Sequence, residues 1–411
     1  MPAGNSKRLN DDLEAMTQSL ISARGENPIH SASVRMETLD GELLGEASAG
    51  VARPDTLDPM LPSHRVHIAS VAKTFTAVLV LQLAEEGKLG SSGIDAPFAE
   101  FDVLPMPIVE RLHRWGAVSF GKRITLRHLL THTSGIRDAM IDDANQCGGP
   151  AQGSLIGSLF LPGEDPGRQW VTWDPTRPDD KHAGVINFFL GSGIADSPLS
   201  LPGERFHYSD TGFVLLGMLV ERISGQPLHE VLRSRILAPL GMESTYLAYR
   251  KDPPLGPFRH PEAEVYAGEI PLLTSGISLS FDWAGGGLVS TMADLAVFIR
   301  GLVSGGLFGK AETFGQMTHW IKPDGLDATR TGVGLGLFCT DCNGVELWGH
   351  SGAWGTKMCF DPNSGLVFTG TTNQVRTMHD WHHAFIERAL NFLAATSDAC
   401  QSQDISQGDR K

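Results

Sequence analysis

Cysteine is scarce in this 411-residue chain, positive charge is in deficit, and long hydrophobic runs are missing. Five cysteines, at 147, 339, 342, 359 and 400, fit a reducing compartment better than a disulfide framework. Lys and Arg number 33 against 47 Asp and Glu, and the net charge of −14 repels a polyanion. No local basic cluster reverses that balance, so nucleic acid is excluded as a partner. No stretch approaches the roughly 18 uninterrupted apolar residues of a membrane span. The opening MPAGNSKRLNDDLEAMTQSLISARGE lacks a signal-peptide core. As written, the chain is expected to be cytoplasmic, with no membrane partner. No residue pattern specifies an oligomeric state.

With 41% hydrophobic and 19% charged residues, the composition is that of a globular protein long enough for two domains. Cys339 and Cys342 form a Cys-x-x-Cys, but no second pair stands at zinc spacing. The surrounding FCTDCNGVELW reads as a hairpin turning near DCNG. Two thiols beside a turn are expected there. His379, His382 and His383 likewise read as a polar helix start, because no acidic or cysteine partner has metal spacing. Neither a metal nor a cofactor is expected.

Leu9, Leu13, Met16 and Leu20 predict an opening amphipathic helix. Two strand-like runs follow around Asp40-Gly41, a hairpin signal. HIASVAKTFTAVLVLQLAEEG (67–87) then becomes a helix after Ser70 that is apolar nearly all round, hence buried, and stopped at Gly87. ITLRHLLTHTSGI (124–136) predicts a short helix capped by Thr125, within which His132 reads as structural. Residues 141–203 are rich in Gly, Pro and Asp and read as a long loop or insertion. DTGFVLLGMLVERISGQPL (210–228) is a helix capped by Asp210 or Thr211 and ended at Gly225. Strand-like segments recur at 332–339, 344–349, 356–360 and 366–372, before a final helix over 379–396.

Strands cluster at the two ends and helices in the middle. The expected fold class is α/β (α+β): an antiparallel sheet flanked by terminal helices, plus a mainly helical domain. Residues 1–69 with 285–396 would form the sheet domain, 70–284 the helical domain with its insertion, and 397–411 a disordered tail.

Ser70 and Lys73, three residues apart on a helix, share one face and touch. A buried lysine must pair or lose its proton, and a neutral lysine beside a serine is a general base. In PGERFHYSDTGF, Tyr208 and Asp210 precede a buried helix, and a tyrosine beside a lysine can relay a proton. In LWGHSGAWGTKMCF, His350-Ser351-Gly352 is placed at the start or edge of a strand, where the amide of Ala353 can face an oxyanion. GHSGA resembles the Gly-x-Ser-x-Gly elbow, but WGTKMCFDP continues as strand, which leaves Ser351 a poor nucleophile.

In this order and context the chain resembles the serine beta-lactamase and penicillin-binding-protein superfamily, on the branch with class C beta-lactamases, D-aminopeptidases and beta-lactamase-fold esterases. Its Ser-x-x-Lys, Tyr-x-Asn and Lys/His-x-Gly motifs read here Ser70-Val71-Ala72-Lys73, Tyr208-Ser209-Asp210 and His350-Ser351-Gly352. The resemblance implies a beta-lactamase/transpeptidase-like fold. It implies Ser70 as acylated nucleophile, Lys73 and Tyr208 as proton shuttles, and the amides of Ser70 and Ala353 as oxyanion hole. It implies Asp210, His350, Ser351 and Gly352 as substrate-binding residues.

Two departures stand out. Asp210 replaces the usual asparagine and only accepts hydrogen bonds, which argues against ordinary beta-lactam recognition. It would bind a substrate donor such as an amine, or anchor Lys73; a strong pair would keep Lys73 charged and leave deprotonated Tyr208 as the base. His350 replaces a lysine and is largely neutral, which weakens a fixed carboxylate clamp. The insertion, with Trp170, Trp173 and Phe188, would either form a lid or pack onto the domain. The expected function is a serine hydrolase cleaving a small-molecule ester or amide (a small peptide or D-amino-acid derivative) through an acyl-enzyme. The alternatives are acyl transfer from the same acyl-enzyme and a non-catalytic binding protein.

Overall fold

The computed structural model describes residues 3–22, 27–142, 153–250, 261–375, 377 and 381–408. Seven strands form one antiparallel sheet: β1 (Ser31–Thr38), β2 (Leu43–Gly50), β3 (Arg330–Val333), β4 (Phe338–Cys342), β5 (Val345–Gly352), β6 (Thr356–Phe360) and β7 (Leu366–Thr371). Their spatial order is β3-β4-β5-β6-β7-β1-β2, so the two ends of the chain meet where β1 pairs with β7. Both sequence-predicted hairpins form. Gly41 takes φ +88° between β1 and β2, and Asn343 and Gly344 take +54° and +86° between β4 and β5. Two successive positive values are the type I′ signature that an Asn-Gly pair favours.

Five helices frame the site: α1 (Ala3–Ser22), α2 (Ala72–Glu85), α3 (Asp210–Ser224), α4 (Met292–Val303) and α5 (His383–Gly408). On one face of the sheet, Leu9 and Leu13 of α1 and Phe385 and Ile386 of α5 pack against Val34, Met36 and Phe368. On the other face, α4 crosses the sheet and stacks Phe298 on Phe75 of α2, ring centroids 3.5 Å apart. Phe75, Val78, Leu79, Val80 and Leu83 of α2 are fully buried. Each such side chain contributes about 1.5–3 kcal/mol, which anchors a helix that also holds a buried lysine.

The insertion carries short helices at Leu155–Ser158 and Val185–Gly191. Trp170 and Phe188 are buried and meet edge-on at 6.1 Å, and Trp173 packs partly buried on the same core. These aromatics fasten the insertion to the helices instead of overhanging a cleft. The tail expected to be disordered from 397 is, up to Gly408, a continuation of α5. A helix already nucleated on a packed face extends at one hydrogen bond per residue, so a polar sequence need not end it. Among the described residues, no helix is long and apolar enough to cross a membrane. Cys339, Cys342 and Cys359 are buried and form no disulfide, and Cys147 lies outside the described residues.

Candidate active site

Ser70 lies in a 3-10 turn, Ala69–Val71, that runs straight into α2. Ala69 just before it takes φ +46°, a left-handed value uncommon for a residue with a Cβ, and strain of this kind concentrates at functional sites. One turn on, the Lys73 ammonium is fully buried and donates to Ser70 Oγ at 3.0 Å, to the Gly285 carbonyl at 2.8 Å and to Asp210 Oδ1. An ammonium has three protons, and here three acceptors take them. Residue 285 is a glycine for a local reason: a Cβ there would stand 3.0 Å from Asp210 Oδ1 and 3.5 Å from Lys73 Nζ.

Burial alone would strip the proton from Lys73, but Asp210, with Tyr208 and Asp282 behind it, outweighs that pull and raises its pKa above the ordinary lysine value. Of the two charge states that the sequence left open for Lys73, this setting favours the ammonium. Burial, reinforced by the Asp210 carboxylate, pushes Asp138 well above the usual carboxylate range and Asp282 up to about 7. Asp210 is left as the counter-ion. Asp210 contacts Lys73 and also lines the cavity described below.

Ser209, not Asp210 or Thr211, caps α3, its hydroxyl accepting from Gly212 N–H at 3.4 Å. That frees Asp210, the first helical residue, to reach Lys73. Tyr208 stands just outside the helix with Lys73 Nζ 5.0 Å from its ring centroid. Its ring stacks at 4.3 Å on that of His132, whose Nδ1 accepts from Ser209 N–H at 3.1 Å. Sequence reading passed over His132 as structural; it sets the plane of the tyrosine. The Tyr208 hydroxyl is buried, and Lys73 and Ser70 are the side chains whose hydrogen bonding favours its ionised form. Burial raises its pKa to about 12, against the opposing pull of Lys73.

His350-Ser351-Gly352 ends β5 and does not begin it. The strand pairs with β6 as far as Gly352 but with β4 only as far as Gly349, so its last three residues form a free edge inside the sheet. His350 Nδ1 donates to the Ser351 carbonyl at 2.8 Å, which makes the buried Nε2 an acceptor with no partner. Burial and then Lys73 push His350 well below the usual histidine value, so the ring is neutral. Gly352 lies so close to the segment before Ser70 that a Cβ would stand 2.3 Å from the Ile68 carbonyl oxygen.

A cavity of about 490 Å³ opens between these elements, and Ser70, Tyr208, Asp210, His350, Ser351 and Ala353 line it. Lys73 lies behind Ser70, and Gly352 packs against the backbone beneath. Of residues 141–203, only Ile141 lines the cavity among the described residues. Two cationic lining residues escaped the sequence reading, Arg330 and Lys357. The only signal for Lys357 is a lysine amid the apolar strand TKMCF. His379 lies outside the described residues, and among those described no three His, Cys, Asp or Glu stand grouped to hold a metal.

Residues 20–391 match the family model described as Beta-lactamase. Penicillin-binding protein 4 of Amycolatopsis lactamdurans is 27% identical over 82% of this chain and 78% of its own. Esterase EstB of Burkholderia gladioli is 30% identical over 49% of this chain and 43% of its own. The chain thus spans less than half the length of some curated relatives, 42% for Penicillin-binding protein 4* of Bacillus subtilis. Among solved structures, a D-stereospecific amidohydrolase from Streptomyces sp. superposes with a TM-score of 0.65 at 26% identity, covering 90% of this chain and 95% of that one. The family match takes in the serine-bearing turn, the tyrosine at the head of α3 and the His-x-Gly end of β5 alike, and the chain belongs to the beta-lactamase family.

Proposed function

We propose that this protein cleaves an ester or amide through a covalent acyl-enzyme on Ser70. The observation that carries the reading is the 3.0 Å contact between Ser70 Oγ and Lys73 Nζ at the wall of a cavity that Tyr208 and Ala353 also line. With its three protons donated, Lys73 has no free lone pair. Tyr208 in its phenolate form is then the group that takes the Ser70 proton, and the Lys73 charge stabilises that form. Ser70 Oγ bonds to the carbonyl carbon, and the amides of Ser70 and Ala353 hold the developing oxyanion. The phenol returns its proton to the departing alcohol or amine. Water repeats the cycle on the acyl group and frees Ser70. Relatives named as an esterase and a D-stereospecific amidohydrolase support both bond types.

The test is a fluorophosphonate probe together with a panel of p-nitrophenyl esters and D- and L-amino-acid amides. Mass spectrometry is expected to find the label on the Ser70 peptide, and Ser70→Ala to abolish both labelling and turnover. A label elsewhere, or full activity in Ser70→Ala, overturns the reading.

A further inference from the structure

Tyr208 belongs to no helix or strand; it stands between the end of the insertion and the start of α3. A row of hydrogen bonds holds it to the segment that follows the helix Leu126–Leu130. Leu199 N–H donates to the Gly135 carbonyl at 3.0 Å, and Gly203 N–H to the Thr133 carbonyl at 2.7 Å. The next two bonds both end on one residue. His207 N–H donates to the His132 carbonyl at 2.8 Å, and Ser209 N–H donates to His132 Nδ1 at 3.1 Å. Both chain neighbours of Tyr208 are thereby tied to the residue whose ring stacks on the tyrosine at 4.3 Å and 22°. Phe206, Phe213 and Phe338 surround the imidazole, with ring centroids 5.8, 5.1 and 6.1 Å away. His132 itself takes φ +56°, a left-handed value that a residue with a Cβ keeps only where its surroundings over-determine it.

Because Nδ1 accepts, the ring proton is on Nε2, and burial with the nearby Lys73 charge keeps the imidazole neutral. A ring in that state has no lone pair to offer as a base, so its contribution is geometric. Resting on the acyl-enzyme reading, we propose that His132 is the positioning residue of the proton transfer, clamping Tyr208 through both of its chain neighbours and through its ring so that the phenol oxygen stays in reach of Ser70 and Lys73. His132 does not line the cavity and acts only through the tyrosine. Its effect therefore falls on the chemical step, where a displacement of about 1 Å costs on the order of 10²-fold.

The experiment separates the ring from the acceptor. His132→Phe keeps an aromatic ring and removes the acceptor; His132→Asn keeps an acceptor in the place of Nδ1 and suits the left-handed turn. With p-nitrophenyl acetate, kcat is expected to fall by about 10² in His132→Phe with KM changed by less than about twofold, and His132→Asn to recover a large part of the loss. The rate of Ser70 labelling by the fluorophosphonate completes a double-mutant cycle. His132→Phe is expected to slow labelling by about 10² in the parent and by less than about twofold in Tyr208→Phe, where no phenol is left to misplace. Where His132→Phe does not fold, His132→Met takes its place. Parent-like rates in His132→Phe, or equal losses in the two backgrounds, overturn the proposal. Were Ser70 unlabelled in the parent, the acyl-enzyme reading would fall instead. The clamp is then read from hydrogen exchange at the Ser209 amide: exchange about tenfold or more faster in His132→Phe than in His132→Asn supports it, and equal exchange overturns it.

Discussion

The buried ammonium of Lys73 rests on the carboxylate of Asp210, a residue 137 positions further along the chain. The contact joins the start of α2 to the start of α3 and fixes the charge state of the whole site. Asp210 raises the pKa of Lys73, and it raises that of Tyr208 as well. Both groups are therefore protonated at neutral pH, and the base form is a minor species. Activity is expected to rise with pH through neutrality.

Asp210→Asn removes the charge responsible. With that carboxylate gone, the proton on Lys73 and the proton on Tyr208 are both held less tightly. The rising limb of the kcat/KM profile is expected to move to lower pH, by about 1–3 units for the loss of a contact charge. A profile unmoved, or displaced to higher pH, would show that Asp210 does not set the protonation of the pair.

Tyr208→Phe separates chemistry from stability. Removing the Tyr208 hydroxyl takes one buried polar atom out of the site. Its ring contacts, with His132 at 4.3 Å, persist in phenylalanine. Turnover is expected to fall by about 10²–10⁴, the usual contribution of a general acid-base group, while Tm stays level or rises. Intact turnover would remove Tyr208 from the proton path.

Asp282 gives a stability prediction with a definite sign. Burial and then Asp210 raise its pKa to about 7, above the ordinary carboxylate value near 4. A carboxyl raised on folding contributes stability that is complete below its unfolded pKa and is lost as pH climbs through the folded value. Asp282→Asn takes the titration away. Its Tm relative to the parent is expected to increase between pH 4 and pH 8, by about 2 °C or more at the upper end. A difference constant over that range would mean that Asp282 ionises as freely in the folded protein as in the unfolded chain.

Much of the frame was legible because it rests on local rules. An apolar helix ending at Gly87, an Asn-Gly hairpin and a Ser-x-x-Lys turn each declare themselves within a few residues. Lys73 and Asp210 were also readable, since a buried lysine needs a partner and the neighbouring motif offered a carboxylate. Lys357 was not readable. Its contact with Ser351 is set by the pairing of β5 with β6, and a lysine between threonine and methionine obeys no spacing rule. His132 was hidden for a similar reason, since stacking on Tyr208 is decided by where two distant turns pack. The aromatics of the insertion left lid and packing equally open, and only the burial of Trp170 and Phe188 separates them.

Gly352 tests whether the site depends on backbone approach as well as on side chains. A Cβ at this position would lie 2.3 Å from the Ile68 carbonyl oxygen and 3.1 Å from Ala69 Cβ. Neither is the free end of a flexible side chain, so β5 and the turn before Ser70 must separate in Gly352→Ala. Ala353 follows immediately and lines the same cavity as Ser70. Its amide would then recede from the oxyanion while Ser70, Lys73 and Tyr208 keep their mutual contacts. Loss of one oxyanion donor costs about 10²–10³ in kcat. Gly352→Ala is expected to show a loss of that order, with KM changed much less and Ser70 still labelled by the fluorophosphonate at a reduced rate. Labelling and kcat equal to those of the parent would mean that the end of β5 contributes no oxyanion donor, and the proposed hole would have to be sought on another element.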